Sequence, residues 1–186
     1  MTLLLVRLWL EQFPYAGGSL ENATGLDLLP AMGFLSDMKL WFSPPKIVDP
    51  VFGTLVFMEI KKHPERSYWE GEWAMPGAFN PVGISLNGGR DGPSRESRDF
   101  YLSLPDEIEQ ILERCRPPLG KVFRDWLNRE LPKNLFSELK LTGFDVDDPK
   151  ENPPHWRVLF ETTGEEWLGI AIPFIGEIVG DAEVDT

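Results

Sequence analysis

Residues 52–73 read FGTLVFMEIKKHPERSYWEGEW, and the fold prediction starts from this stretch. It consists of two apolar runs joined by KKHPER, where Pro64 and its charged neighbours favour an exposed turn. The first run, Phe52 to Ile60, has apolar residues at odd and even positions, which predicts a central strand covered on both faces. The second run, Tyr68 to Met75, alternates and predicts a half-exposed strand. Together they predict a β-hairpin at the centre of a sheet.

More strands are predicted on both sides of a helical region. Pro81 to Leu86 continues the first group of strands, and Phe136 to Val146 begins the second. Residues 156–174, WRVLFETTGEEWLGIAIPF, have the pattern of two strands joined by a tight turn at 163–165. A short edge strand is also expected at 39–42, ahead of the extended Pro44-Pro45 segment.

The helical region contains two apolar stripes separated by a pair of prolines. Ile108, Ile111 and Cys115 lie at helical spacing, and a second stripe runs over 119–127. Because proline lacks a main-chain donor and clashes with the preceding turn, Pro117-Pro118 is expected to separate two helices. The chain is therefore predicted to be α+β, with an antiparallel sheet built from two β-meander or hairpin halves and a two-helix layer inserted between them, in the order three strands, two helices, three strands.

The N-terminal part differs in pattern from the rest of the chain. Residues 1–37 show neither helical nor strand periodicity, whereas a regular pattern begins at Met38. We expect 1–37 to be an extra segment, either poorly ordered or an over-extended reading frame with the true start at Met38 or Met32. A genuine arm or short docking helix is the alternative. Residues 38–186 are expected to form a single α+β domain.

The composition is that of a globular protein with a strong negative charge. The 186 residues are 42% hydrophobic and 26% charged, and 30 acidic against 18 basic residues give a net charge of −12. Such acidity argues against binding nucleic acid and suits either solubility or capture of a basic partner. The single cysteine, Cys115, excludes an intramolecular disulfide and fits a reducing cytoplasm. No stretch has the length and apolarity of a membrane span, and the N-terminal residues lack the features of a signal peptide.

Candidate site residues occur first on the second strand of the hairpin. Glu70 and Glu72 are two residues apart, so their side chains share one face at a separation of about 7 Å. Two carboxylates at this distance can hold a divalent cation or act as acid and base, but a solvated strand face explains them equally well. Trp69 and Trp73 share the opposite face, either as core residues or as an aromatic platform for a ligand.

Acidic residues later in the chain are candidates for contact with a partner. They are Asp145, Asp147 and Asp148 in the loop after a predicted strand, and Glu165 and Glu166 in the 163–165 turn region. The first group lacks the glycine and closing glutamate of a calcium-binding loop. Neither His63 nor His155 has a second ligand at metal-binding spacing. The sequence therefore predicts no catalytic residue, no metal site and no cofactor.

Three segments carry a resemblance to a protein family. MKLWFSPPKIVDPVFGTLVFM, SYWEGEW and FETTGEEWLGIAIPF, at 38–58, 67–73 and 160–174, resemble an uncharacterised bacterial protein family, a domain of unknown function. The resemblance covers most of the chain after Met38. It implies a small cytoplasmic bacterial domain and supplies no catalytic residues. Small acidic α+β domains are also similar to immunity proteins that neutralise secreted toxins, which is an analogy of fold.

These observations favour a non-catalytic binding or immunity-type domain that presents an acidic face to a basic protein partner. One alternative is a structural domain that forms a homodimer through an edge strand or an exposed aromatic face. The other is an enzyme of unrecognised type in which Glu70 and Glu72 carry the chemistry. Neither nucleic acid nor a membrane is predicted as a partner.

Overall fold

The computed structural model describes residues 44–164 and 166–186. The predicted edge strand at 39–42, the extra segment 1–37 with its candidate start sites, and Glu165 lie outside the described residues.

The described residues form ten strands and one α-helix. The first five strands are β1 Lys46–Asp49, β2 Gly53–Met58, β3 Tyr68–Trp73, β4 Val82–Gly89 and β5 Gly92–Pro93. The helix α1 covers Arg95–Leu127, and short 3₁₀ turns cover Pro64–Arg66 and Leu135–Ser137. The second five strands are β6 Leu139–Val146, β7 His155–Thr162, β8 Gly169–Ile175, β9 Ile178–Val179 and β10 Glu183–Asp185.

All ten strands belong to one mixed sheet. Its main order is β1-β2-β3-β4-β6-β7-β8-β10, with β5 paired to β4 and β9 paired to β8. Neighbours are antiparallel except β4 and β6, which run parallel and are connected through α1. The long connection permits this pairing, since parallel neighbours need a crossover. The C-terminal residues supply β9 and β10, which both pair with β8.

The prediction of a two-helix layer between two three-strand halves is wrong. Helix α1 runs without interruption through Pro105, Pro117 and Pro118, and the described residues are mostly β. The buried positions of α1 keep the same helical face on both sides of the prolines, from Ile108 to Phe123. Packing of this continuous stripe therefore outweighs the local cost of the prolines.

The core lies between α1 and one face of the sheet. Buried residues alternate with half-exposed ones along β4, β7 and β8, so one face of these strands packs inward. The core includes Leu55, Leu86 and Phe160 from the sheet and Leu119 and Phe123 from the helix, which are all at most 1% exposed. Among the described residues no helix covers the opposite face, and this open face carries the site described below.

The first turns of α1 hold β4 and β6 together where their main chains separate. The regular pairing of these strands covers only Gly83 with Gly143 and Ile84 with Phe144. Beyond it, Tyr101 Oη accepts a hydrogen bond from Ser85 N at 3.1 Å and lies 3.0 Å from Ser85 O and from Phe144 O, to either of which it can donate. Burial raises the pKa of Tyr101, so this hydroxyl keeps its proton. Tyr101 of α1 thus joins β4 to β6 where the regular main-chain hydrogen bonds between these strands end. We call this junction of β4 and β6 the seam.

Candidate functional site

A cleft of about 1140 Å³ lies on the open face of the sheet, over the seam between β4 and β6. Its floor consists of residues from β3, β4, β6 and β7. One wall is formed by residues 60–66, which connect β2 to β3, and the other by residues 147–150, which follow β6. The cleft is therefore a product of strand order, because it joins segments that are distant in the sequence.

The floor of the cleft is low where β4 meets β6. Gly83 and Gly143 are direct partners there, and neither has a side chain to fill the space above the main chain. A Cβ atom on Gly143 would lie 2.7 Å from Gly83 O, so the close approach of the strands requires glycine. Ser85, the next residue of β4 on this face, adds only a hydroxyl, which makes no hydrogen bond to any described residue. The result is a shallow depression above Gly83, Ser85 and Gly143, which we call the seat.

Charged side chains surround this seat, with carboxylates in excess. Among the residues that the structure describes, five acidic ones line the cleft, namely Glu65, Glu70, Asp145, Asp147 and Asp148. Three basic ones from the same part of the chain also line it, namely Arg66, Lys150 and Arg157. Four of these acidic residues were singled out from the sequence, namely Glu70, Asp145, Asp147 and Asp148. The strand order brings them into one cleft.

Asp145 and Arg157 form the firmest ion pair in the cleft. Arg157 Nη2 donates to Asp145 Oδ2 at 2.5 Å and lies 3.6 Å from Asp147 Oδ1. Partial burial would lower the pKa of Arg157, but Asp145 and then Asp147 raise it. Asp145 Oδ1 accepts no hydrogen bond from any described residue. One oxygen of Asp145 therefore stays open to the cleft.

Tyr68 and Glu70 form the opposite side of the seat. They are two residues apart on β3, on the face that bears Ser85 and Asn87 of the neighbouring strand. Within 44–164 and 166–186, no group hydrogen bonds or ion pairs with the Glu70 carboxylate. The pKa of Tyr68 is raised by burial, then by Glu70 and by Asp145. Both carboxylates therefore act on the Tyr68 hydroxyl, one from each side of the seam.

The other candidates from the sequence lie outside the cleft. Trp69 and Trp73 are 0% and 3% exposed on the core face of β3, and Trp69 Nε1 donates to Gly89 O at 2.8 Å. Glu72 is exposed on β3 beside Gly83 but does not line the cleft. Glu166 is exposed at the far end of β7, where its carbonyl accepts a hydrogen bond from Thr162 Oγ1 at 2.6 Å.

Glu70 and Glu72 are not joined by further ligands into a metal centre. In the part of the chain that the structure describes, no group of three or more His, Cys, Asp or Glu side chains is arranged to hold a metal ion. The same residues contain no helix with the length and apolarity needed to cross a membrane.

No protein-family model, curated protein or solved structure matches this chain.

Sequence reasoning missed several residues of the cleft. Tyr68 carried a usable signal, because the alternation of β3 puts it on the same face as Glu70. Arg157 lies in a strand that the sequence predicted, but nothing in the sequence indicated that it pairs with Asp145. Ser85 and Gly143 could not be found from local sequence, since they meet only through the pairing of β4 with β6.

Proposed function

We propose that this protein is a non-catalytic binding protein, of the immunity type, whose cleft receives a basic region of a partner protein. The observation that carries the proposal is the gathering of Glu70, Asp145, Asp147 and Asp148 on the lining of one open cleft. A surface with an excess of carboxylates attracts cationic groups and disfavours anionic ones. The net charge of −12 acts in the same direction over longer distances.

The arrangement of the carboxylates supports binding rather than catalysis. Glu70 and Glu72, the candidate acid–base pair, do not both line the cleft. Asp145 is occupied on one oxygen by Arg157, which suits a fixed electrostatic surface better than proton transfer. We extend the proposal to a cytoplasmic bacterial protein, on the basis of the resemblance, the single Cys115 and its burial.

The test uses two double variants that change the net charge equally. Glu70→Gln with Asp148→Asn neutralises two carboxylates in the cleft, and the new amide at position 148 keeps an oxygen that can accept from Lys150 N. Glu161→Gln with Asp181→Asn neutralises two carboxylates that do not line the cleft. Each protein is immobilised and exposed to lysate of the source organism, and captured proteins are cross-linked and mapped by mass spectrometry.

The proposal predicts a basic protein that the wild type and the Glu161/Asp181 variant capture equally. We expect the Glu70/Asp148 variant to retain at least tenfold less, with cross-links of the wild type falling in 60–66 and 147–150. Equal capture by both variants would refute the cleft as the binding site. If the wild type captures no protein, the binding function itself is refuted.

A further inference from the structure

We infer that the seat over the β4–β6 seam binds one arginine side chain of the partner, held between Glu70 and Asp145 and stacked on Tyr68. This inference rests on the proposed function and names the chemical group that the cleft recognises. Its occupant is chosen by charge complementarity and by the shape of the floor.

Strand pairing places three polar side chains in line across the sheet. Glu70 is the direct partner of Ser85, and Ser85 lies two residues after Gly83, just as Asp145 lies two residues after Gly143. Glu70, Ser85 and Asp145 therefore stand in one row, with a small polar side chain between two carboxylates. Within the described residues, neither Asp145 Oδ1 nor the Glu70 carboxylate has a hydrogen-bond or ion-pair partner, and both residues line the cleft on either side of Ser85.

The guanidinium of arginine suits this arrangement better than the ammonium of lysine. A guanidinium has several N–H donors in a planar fork, so it can donate to two carboxylates at once. An ammonium is a compact point charge and makes poorer use of two separated acceptors. The Tyr68 ring, half-buried at the edge of the row, offers a surface on which a planar cation stacks.

The chain already contains one guanidinium bound to Asp145. Arg157 is a guanidinium bound by Asp145 and approached by Asp147 at the neighbouring position. It occupies Oδ2 of Asp145 and leaves Oδ1 for a second guanidinium. Gly83 and Gly143 line the cleft without side chains, which leaves the aliphatic stem of that arginine space to lie above them.

The experiment titrates the full chain, labelled with ¹⁵N, with the peptide acetyl-Gly-Gly-Arg-Gly-Gly-amide and follows chemical shifts by NMR. Peptides with lysine or citrulline in place of arginine are the ligand controls, because citrulline keeps the shape and lacks the charge. The expected result is saturable shifts centred on Tyr68, Ser85 and Asp145. Lysine should bind several-fold more weakly, and citrulline should produce no saturable shifts.

Three variants make the assignment specific to the seat. Glu70→Gln should weaken arginine-peptide binding by about tenfold, as expected when one charge-assisted hydrogen-bonded pair is lost. Ser85→Leu should abolish it by filling the seat without changing the charge. Glu161→Gln, an equal charge change on β7 outside the cleft, should leave it within twofold. Thermal unfolding of each variant confirms that it is folded.

Several results would overturn the inference. Equal binding of the arginine and citrulline peptides, shifts outside the cleft, or unchanged affinity in both Glu70→Gln and Ser85→Leu would each do so. A concentration-dependent dimer by light scattering that Ser85→Leu abolishes would assign the seat to a second copy of this chain instead. If the peptide fails while a basic protein is captured through the cleft, the arginine assignment fails and the binding function stands. If the arginine peptide binds at the seat but no basic protein is captured, the arginine site stands and the proposed binding function fails.

Discussion

The Tyr101 hydroxyl connects the two halves of the sheet, so its removal should have a measurable cost. In Tyr101→Phe, Ser85 N loses the acceptor that it contacts at 3.1 Å, and Phe144 O loses a neighbour at 3.0 Å. Because the Tyr101 side chain is fully buried, we expect the free energy of unfolding to fall by about 1–3 kcal/mol. Urea denaturation followed by circular dichroism measures the change.

Tyr68→Phe is the matched control for this prediction. The Tyr68 hydroxyl makes no hydrogen bond with any described residue, so its loss should change the free energy of unfolding by less than about 0.5 kcal/mol. A Tyr101→Phe protein as stable as the control would show that the hydroxyl does not bridge β4 and β6.

Asp49 anchors the turn between β1 and β2 to the helix. Its Oδ1 accepts hydrogen bonds from Val51 N at 2.9 Å and Phe52 N at 3.1 Å, and its Oδ2 pairs with Arg98 of α1. Burial alone would raise the pKa of Asp49, but the Arg98 side chain and the two N–H groups together lower it. We expect Asp49→Asn to lower the free energy of unfolding by about 2 kcal/mol at pH 7.

The same pair predicts a dependence on pH. Because the folded-state pKa of Asp49 is below its ordinary value of 3.8, the charged form stabilises the fold above pH 3.8. This stability is lost as the pH falls through the folded-state pKa. The difference in the free energy of unfolding between wild type and Asp49→Asn should therefore shrink below pH 3.8 in urea titrations at successive pH values.

Asp99→Asn, which removes an exposed pair with Arg95, is the control. Its free energy of unfolding should differ from that of wild type by at most about 0.5 kcal/mol. A gap that stays constant below pH 3.8 would contradict this assignment.

At the scale of elements, helix α1 tests the balance between local propensity and packing. Pro117 is exposed in the interior of the helix, where it cannot donate to the carbonyl of Glu113. In Pro117→Ala that hydrogen bond forms and the clash with the preceding turn is removed. We expect the free energy of unfolding to rise by about 1–3 kcal/mol. Part of this rise is offset because alanine gives the unfolded chain more conformational entropy than proline does.

Pro149→Ala provides the comparison for Pro117→Ala, since Pro149 lies in the loop after β6. Alanine restores no helical hydrogen bond there, so the variant should be no more stable than wild type. Thermal unfolding by calorimetry measures both proteins. If Pro117→Ala is destabilised instead, the helix is interrupted at this point, as the sequence pattern had indicated.

The elements differ in how much of them could be predicted from sequence. A continuous apolar run located β2, and the alternation of apolar residues located β3, β6, β7 and β8, each to within a few residues. Strands β5, β9 and β10 have two or three residues each, which is too few for strand periodicity to be recognised in the sequence. The continuity of α1 depends on tertiary packing of its buried face. Local helix propensity alone predicted a break at Pro117-Pro118.

The candidate site shows the same limit. Glu70 was recognisable as an acidic residue on a strand and Asp145 as part of an acidic loop, whereas the structure places Asp145 on β6. Their common cleft depends on the parallel neighbours β4 and β6. That pairing joins residues about sixty positions apart through α1, and nothing in either strand specifies it. Gly83 and Gly143 acquire their role only through this contact.

At the scale of the described residues as a whole, two groups of antiparallel strands share one core. The direct contact between the groups is short, since β4 and β6 pair regularly over two residues each. The helix connects them more extensively through its aromatic residues. Tyr101 contacts Phe52 of the first group with ring centroids 6.3 Å apart, and Phe100 contacts Trp156 of the second at 5.6 Å. Neither group keeps its apolar face covered if α1 detaches.

This shared core predicts that the two strand groups unfold together in one cooperative transition. The chain labelled with 5-fluorotryptophan gives separate ¹⁹F NMR signals for Trp69 in the first group and Trp156 in the second, assigned through single Trp→Phe variants. Both signals should lose their native intensity at the same urea concentration. Cys115, on the buried face of α1, supplies a third probe, because burial raises its pKa to about 12 and shields its thiol. Reaction of Cys115 with a thiol reagent should follow the same transition, whereas separate midpoints for Trp69 and Trp156 would mean that each strand group is stable without the other.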